Sequence, residues 1–142
     1  PHLGCRQARC VEARRNPARR ELVASLGLTD RSAGKRFVVD ATPDFTEQMA
    51  LLGGLPDGIL LTHAHIGHYL GLAQLGREVL GARRVPVFCT PSMARFLREN
   101  KPWSRLVSRG NIEIMEIEPG VEFPLTPRLR VKALRAPHRD ED

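Results

Sequence analysis

The chain has 142 residues, of which 42% are hydrophobic and 27% charged, a balance typical of one globular domain and not of a disordered or fibrous chain. No apolar run approaches the roughly 18–20 residues of a membrane-spanning helix, so no transmembrane segment is expected. The formal net charge of +6 is compatible with an anionic partner. However, the arginines are scattered and few aromatic residues interleave with them, so we expect solvated surface charge and not a nucleic-acid interface.

The two ends of the sequence suggest part of a longer protein. The start lacks both an initiator methionine and the apolar core of a secretory signal, and no closing element precedes the acidic end. Three cysteines cannot all pair with one another, so a disulfide framework is not expected and a reducing cytoplasm is favoured.

The predicted elements alternate between strands and helices. Residues 1–20 are expected to form a cysteine-containing amino-terminal loop with a helical turn near Pro17, and residues 21–142 the core of the domain. Short apolar runs predict strands at 22–28, 37–41, 59–61, 85–89, 112–117 and 129–134, the first two joined by a hairpin turn at 30–34. Helical spacing predicts helices at 45–52, 69–80 and 91–98, and a further turn at 103–107. This alternation indicates an α/β or mixed layered domain.

Local signals support several of these boundaries. Thr42 can cap the helix that follows it, Pro43 suits the first turn, and Asp44 complements the helix dipole. Pro86 favours either an edge position or a strand start, because proline cannot donate a ladder hydrogen bond.

Three histidines follow the strand at 59–61 within six residues: His63, His65 and His68. Side chains at i and i+2 of extended chain point the same way, so His63 and His65 can converge on one point. His68, at the entry to the next helix, can reach an adjacent position. Neutral imidazoles grouped in this way bind borderline metals such as zinc. We therefore predict a metal site here and not three unrelated polar residues in a loop.

Residues 60–68 resemble the His-x-His-x-Asp-His signature of the metallo-β-lactamase superfamily. Residues 37–41 resemble its upstream strand that ends in an aspartate, and His138 resembles its next metal-binding histidine. Within the superfamily the chain is most similar to pyrroloquinoline quinone biosynthesis protein B and its relatives, in four stretches: 40–44, 66–72, 87–91 and 137–140. The resemblance implies an αββα sandwich, of class α/β (α+β), with residues 1–142 as roughly its amino-terminal half.

The chain departs from that signature at Gly67, where the superfamily carries the aspartate. The resemblance implies that this aspartate binds a second metal and helps to orient the attacking water, which glycine cannot do. His63, His65 and His138 would then form a three-histidine site with an open position, the arrangement of a catalytic zinc. We expect one ion in preference to two, although a carboxylate from outside this sequence could restore the second site. The ligands suit Zn²⁺ or Fe²⁺.

His68 and Asp40 are the candidate catalytic residues. His68 also completes the predicted set of four metal-binding histidines, and it could serve instead as a proton shuttle or a substrate contact. Asp40 either accepts an imidazole N–H and fixes its tautomer, or only caps the loop after its strand. Asp44 is expected to be a helix cap. Asp140 is expected to be a solvated acidic residue that follows His138.

The amino-terminal cysteines raise a second metal hypothesis. In the subfamily that this chain resembles, a cysteine cluster at this place forms a structural zinc site. Cys5 and Cys10 are present, but Gln7 stands where an intermediate cysteine would be expected, and two thiolates fall short of four ligands. His2, or a group from outside this sequence, would have to contribute; otherwise the thiols are free. Cys89 ends an apolar strand and is expected in the core.

The leading interpretation is a metal-dependent hydrolase that uses metal-activated water on a small-molecule substrate. The pyrroloquinoline quinone branch favours iron-dependent oxidation instead. Two alternatives are a non-catalytic binding or carrier protein on the same scaffold and a nucleic-acid-processing member of the superfamily. No membrane partner is expected. An incomplete sheet exposes open edges, so poor solubility or a homodimer is predicted.

Overall fold

The computed structural model describes residues 3–137, so the predictions on His2, His138 and Asp140 lie outside the described residues. Helices in this range are α1 (Ala8–Arg15), α2 (Phe45–Leu52), α3 (Ile66–Tyr69), α4 (Pro91–Glu99) and α5 (Trp103–Ser108). Two 3₁₀ helices span Pro17–Arg19 and Leu70–Leu75. The strands are β1 (Leu26–Asp30), β2 (Lys35–Val39), β3 (Gly58–Leu60), β4 (Val85–Cys89), β5 (Ile112–Glu116), β6 (Glu122–Pro124) and β7 (Arg130–Lys132).

Strands β1 to β5 form one sheet in sequence order. β1 pairs with β2 as an antiparallel hairpin, whereas the pairs β2–β3, β3–β4 and β4–β5 are parallel and are connected through helices. β6 and β7 form a separate antiparallel pair. This mixed sheet with intervening helices confirms the predicted α/β class.

The two faces of the sheet are covered differently. Val87 and Cys89 of β4 are fully buried and belong to the core that the sheet shares with the helices. Phe88 lies between them in the chain and therefore points to the opposite face, where its ring stacks on Phe123 of β6 at a centroid distance of 5.4 Å. The β6–β7 pair thus lies against the face of the sheet that the helices leave uncovered.

The core under the helices brings together apolar side chains from β2 to β5, the helices and the 3₁₀ segment after α3. Each fully buried leucine or isoleucine contributes about 1.5–3 kcal/mol relative to its exposed form. The prediction that Cys89 is a core residue is confirmed. The largest apolar side chains with less than 2% exposure are Ile59, Leu72, Leu75, Leu97, Ile112, Val38 and Val87.

The predicted helix at 69–80 is wrong in type. The structure has one α-helical turn, α3, followed by a 3₁₀ helix that ends at Leu75. The backbone N–H of Gly71 donates to Ala41 O at 2.8 Å. This N–H is therefore used in a tertiary contact, which interrupts the α-helical ladder that the apolar spacing had predicted.

The predicted strand at 22–28 begins too early. Val23 N donates to the Asp44 carboxylate at 2.8 Å, and Val23 O accepts from Gln48 Nε2 at 2.7 Å, so this residue bonds to the start of α2 and not to the sheet. Asp44 also pairs with Arg20 at 2.6 Å. Asp44 is the N-cap residue of α2, as predicted, but its side chain makes no capping hydrogen bond.

The remaining boundaries agree closely with the sequence, with two differences. The amino-terminal loop contains α1. β6 was not predicted, because it has three residues and includes Pro124. Pro86 lies in β4, which has neighbours on both sides, so of its two expected positions the strand start is the one observed.

A hydrogen-bonded turn closes the β1–β2 hairpin. Asp30 accepts from Ser32 Oγ at 2.6 Å and from the backbone N–H groups of Ser32 and Ala33. Thr126, in the loop between β6 and β7, also donates its hydroxyl to Asp30. The Ser32 and Thr126 side chains lower the pKa of Asp30 from 3.8 to about 2. The carboxylate thus links the hairpin turn to the second pair of strands.

No helix within residues 3–137 has both the length and the apolar character needed to cross a membrane. The longest, α4, has nine residues. At about 1.5 Å of rise per residue, it would cover less than half of a hydrocarbon core of roughly 30 Å.

Candidate metal centre

The predicted site residues that lie within 3–137 meet at the carboxyl edge of the parallel strands. Asp40 follows directly after β2, and Thr62 to His68 follow β3, its parallel neighbour. The carboxyl ends of adjacent parallel strands lie at the same edge of a sheet, where ligand sites of α/β proteins form. Residues that are more than 20 positions apart in the sequence are therefore brought into direct contact.

Asp40 is buried, with 5% exposure, and has a left-handed backbone, with φ at 66°. That conformation costs a non-glycine residue roughly 1–2 kcal/mol. Three hydrogen bonds offset the cost. Asp40 N donates to Leu60 O at 2.8 Å, and Asp40 Oδ1 accepts from the backbone N–H and the hydroxyl of Thr62, both at 2.9 Å.

Asp40 also holds His68. The distance from His68 Nδ1 to Asp40 Oδ2 is 2.7 Å. A carboxylate oxygen only accepts, so Nδ1 carries a proton, and in the neutral imidazole Nε2 of His68 has the lone pair. Asp40 thus contacts an imidazole N–H, the first of the two roles considered for it, and its other oxygen accepts from Thr62 in the loop after β3, not in the loop after its own strand.

His63 and His65 approach each other through their ring nitrogens. His63 Nε2 lies 2.8 Å from His65 Nδ1, with ring centroids 4.6 Å apart. The centroid of the His68 ring lies 4.2 Å from that of His63. His63 therefore contacts both other imidazoles of the motif.

These side chains fit zinc in donor type and in convergence. Zn–N bonds of about 2.0–2.1 Å at a tetrahedral angle separate two ligand nitrogens by about 3.3 Å. The His63–His65 contact is about half an ångström shorter, so the two nitrogens would have to move apart by that amount to bind one ion. Within residues 3–137 no group of three or more histidine, cysteine, aspartate or glutamate side chains is arranged to hold a metal. A third ligand must come from elsewhere, and the predicted one, His138, lies outside this range.

Gly67 provides no ligand, and its surroundings are open. A β-carbon built at this position meets no atom within 4 Å, and the residue lies in α3 without a left-handed backbone. The glycine is therefore not required by the fold, in contrast to Gly71.

Gly71 fixes the position of the histidine loop. Its β-carbon would lie 2.4 Å from Thr42 O. Ala41 N donates to His68 O at 2.9 Å, and Gly71 N donates back to Ala41 O. This backbone pairing aligns His68 with Asp40. Sequence reasoning missed the role of Gly71. The signal that could have indicated it was a glycine three residues after His68.

The described residues give no support to the predicted structural zinc site at Cys5 and Cys10. Cys10 is buried in α1, and Cys5 is partly exposed. Among residues 3–137 no third metal-binding side chain joins them. His2, the other expected ligand, lies outside that range.

Four arginines of the amino-terminal segment lie close to one another in the sequence and on one surface. They line an open cleft of about 900 Å³, together with Glu21 and Asp44. Its arginines are Arg9, Arg14, Arg19 and Arg20. Of these, Arg20 pairs with Asp44 at 2.6 Å and with Glu47 at 3.2 Å. None of the described histidines lines this cleft.

Comparison with known proteins agrees with this geometry. The profile of the family described as "Beta-lactamase superfamily domain" matches residues 35–142. The octanoyltransferase of Porphyromonas gingivalis is 31% identical over 147 aligned residues, which are 97% of this chain and 28% of that protein.

Two solved structures share the fold. Zn(2+)-bound PqqB from Methylobacterium extorquens superposes with a TM-score of 0.77 at 19% identity, over 96% of this chain and 51% of that one. A diphosphatase from the PhnP family superposes with a TM-score of 0.64 at 29% identity, over 88% of this chain and 47% of that one. The chain thus spans about half or less of each of these relatives. It belongs to the β-lactamase superfamily and carries part of the metallo-β-lactamase fold.

Proposed function

We propose that this chain supplies the metal-binding part of a metal-dependent hydrolase that acts on a small-molecule substrate. The observation that carries the proposal is the chain of contacts at one edge of the sheet, in which His63 contacts His65 and His68, and His68 contacts the buried carboxylate of Asp40. Membership of the superfamily supports it. So do the Zn(2+)-bound state of the PqqB relative and the diphosphatase identity of the second structural relative.

Each group has a separate task in this proposal. A zinc ion bound by His63, His65 and His138 would supply a water molecule that ionises near neutral pH. His68 holds its proton on Nδ1, so its Nε2 can take up a proton or contact the substrate. Asp40 is a positioning residue, because it is buried and its oxygens already accept hydrogen bonds from Thr62 and His68.

The finer points of the proposal are the metal and the setting. We expect one zinc ion, because Gly67 provides no ligand for a second. Iron is the alternative, and it would accompany an oxidative role related to pyrroloquinoline quinone biosynthesis. The proposed setting is a reducing cytoplasm, with a homodimer as the assembly and with neither nucleic acid nor membrane as a partner.

Metal analysis combined with a turnover assay tests the proposal. The intact chain is purified under reducing conditions, stripped with a chelator and reloaded with Zn²⁺ or Fe²⁺. We expect one zinc per chain and zinc-dependent hydrolysis of a generic phosphodiester or carboxylic ester, both lost in His63→Ala and His65→Ala. Failure of the reloaded chain to retain zinc would refute the proposal.

Other outcomes of these assays would indicate one of the alternative functions. Bound zinc without turnover of either ester class would indicate a binding or carrier protein. Oxygen consumption by the iron-loaded chain would indicate oxidation. RNA binding that weakens steeply with salt would indicate the nucleic-acid-processing role.

A further inference from the structure

The hydroxyl of Thr62 lies between the buried carboxylate and the first histidine. Thr62 Oγ1 is 2.9 Å from both oxygens of Asp40 and 2.8 Å from His63 Nδ1. Three polar atoms thus surround one hydroxyl that has a single proton. This arrangement depends on the pairing of β2 with β3, because Asp40 and Thr62 follow those two strands.

The direction of each hydrogen bond follows from the chemistry of the groups. The Asp40 carboxylate can only accept, so the Thr62 hydroxyl donates to it. The oxygen of that hydroxyl then accepts a hydrogen bond from His63 Nδ1. His63 therefore carries its proton on Nδ1, and its Nε2, the atom that faces His65, is left as the electron-pair donor.

One carboxylate thus orients two imidazoles. Asp40 accepts directly from His68 Nδ1, and it holds His63 Nδ1 through the Thr62 hydroxyl. In the neutral form, both rings then carry their proton on Nδ1 and not on Nε2. Partners of this kind set the orientation and basicity of metal-binding histidines.

We propose that Thr62 is a positioning residue whose hydroxyl fixes the tautomer and orientation of His63 for metal binding. This inference rests on the proposed metal-dependent function. It assigns to Thr62 a role beyond the loop closure that its backbone already provides through Thr62 N and Asp40 Oδ1.

The substitution Thr62→Val tests this role because it removes only the hydroxyl. Valine keeps the size, the β-branching and the backbone N–H of threonine, whereas Thr62→Ser keeps the hydroxyl. Thr42→Val is the control for loss of a threonine hydroxyl away from the histidines. Thr42 is buried, whereas Thr62 is exposed, and the Thr42 hydroxyl contacts Gln48 Oε1 at 2.9 Å and Asp44 N at 3.2 Å.

Two measurements on the intact chain distinguish an effect on the orientation of His63 from an effect on the stability of the fold. Competition against a chromophoric chelator gives the Zn²⁺ dissociation constant, and two-bond ¹⁵N–¹H NMR of the histidine rings gives the tautomer of His63 in the metal-free protein. In Thr62→Val we expect zinc affinity to fall by about 10- to 100-fold and the Nδ1–H tautomer signal of His63 to be lost. Thr62→Ser should restore both. Thr42→Val should lower the melting temperature and leave both unchanged.

The outcomes distinguish this inference from the function on which it rests. If the unsubstituted chain binds zinc and Thr62→Val binds it within twofold as tightly, with the same His63 tautomer, the positioning role is refuted and the proposed function stands. If the unsubstituted chain binds no zinc, the proposed function fails, and the role of Thr62 in metal binding fails with it.

Discussion

Replacing Gly67 with aspartate should add a metal ligand without disturbing the fold. The position lies in α3 between His65 and His68, it has no left-handed backbone, and a β-carbon there meets no atom within 4 Å. Substitutions at such open positions change the free energy of unfolding by about 0.5 kcal/mol or less. We therefore expect the metal-free Gly67→Asp variant to unfold at nearly the same urea concentration as the unsubstituted chain.

The effect should appear when zinc is present. A second site that is saturated at 100 times its dissociation constant stabilises the folded state by about 2.7 kcal/mol. Elemental analysis should show an increase from one zinc per chain to two in Gly67→Asp. Urea unfolding at fixed zinc should show the added stability. Gly67→Ala, which adds the β-carbon without a ligand, is the matched control and should behave like the unsubstituted chain.

Two results would refute this reasoning. If Gly67→Asp folds normally and still binds one zinc, a carboxylate at this position does not face a second metal site. If the unsubstituted chain already binds two zinc ions, Gly67 does not limit the metal number.

Four further predictions concern Gly71 beside the site, the carboxylate of Asp30, the buried thiol of Cys89 and the edges of the sheet. Gly71→Ala should lower the free energy of unfolding in urea by about 1–3 kcal/mol, because its β-carbon would lie 2.4 Å from Thr42 O; unchanged stability would contradict that contact. Asp30 has a folded-state pKa of about 2, below its ordinary 3.8, so it stabilises the fold above about pH 4, and this stability should be lost as the pH falls from about 4 to 2. Asp30→Asn should abolish that part of the pH dependence of urea unfolding. A pH profile identical to that of the unsubstituted chain would argue against the hydrogen bonds from Ser32. Burial raises the pKa of Cys89 to about 11, so iodoacetamide at pH 8 should label it only after unfolding, as read by peptide mass spectrometry. The intact chain should sediment as a dimer or larger species because β1 and β5 are open edges of the five-stranded sheet, and a cooperatively melting monomer would contradict this.

The sequence predicts the alternation of strands and helices and the convergence of the histidines well, because both depend on local spacing. A buried strand followed by His63 and His65 places two imidazoles on one side of extended chain, whatever the rest of the fold does. The contact between His63 and His65 is the structural counterpart of that i, i+2 pattern.

The roles of Asp40, Thr62 and Gly71 could not be predicted in the same way. Asp40 contacts Thr62 and His68 only because β2 and β3 pair in parallel with Val39 opposite Leu60. That register is a long-range property. The sequence therefore left two roles open for Asp40, gave no hint of the bridging hydroxyl, and predicted a longer α-helix through Gly71.

The first hairpin determines where this domain can be cut. The family profile begins at residue 35, at the start of β2, but β1 precedes that point and pairs with β2 along its whole length. The stretch before β1 is tied to α2 through Arg20, Val23, Asp44 and Gln48. An excision or domain swap at the homology boundary would sever the hairpin and uncover a strand that leads directly to the carboxylate of the site. Any transplant of this unit into another protein should therefore start upstream of Arg20.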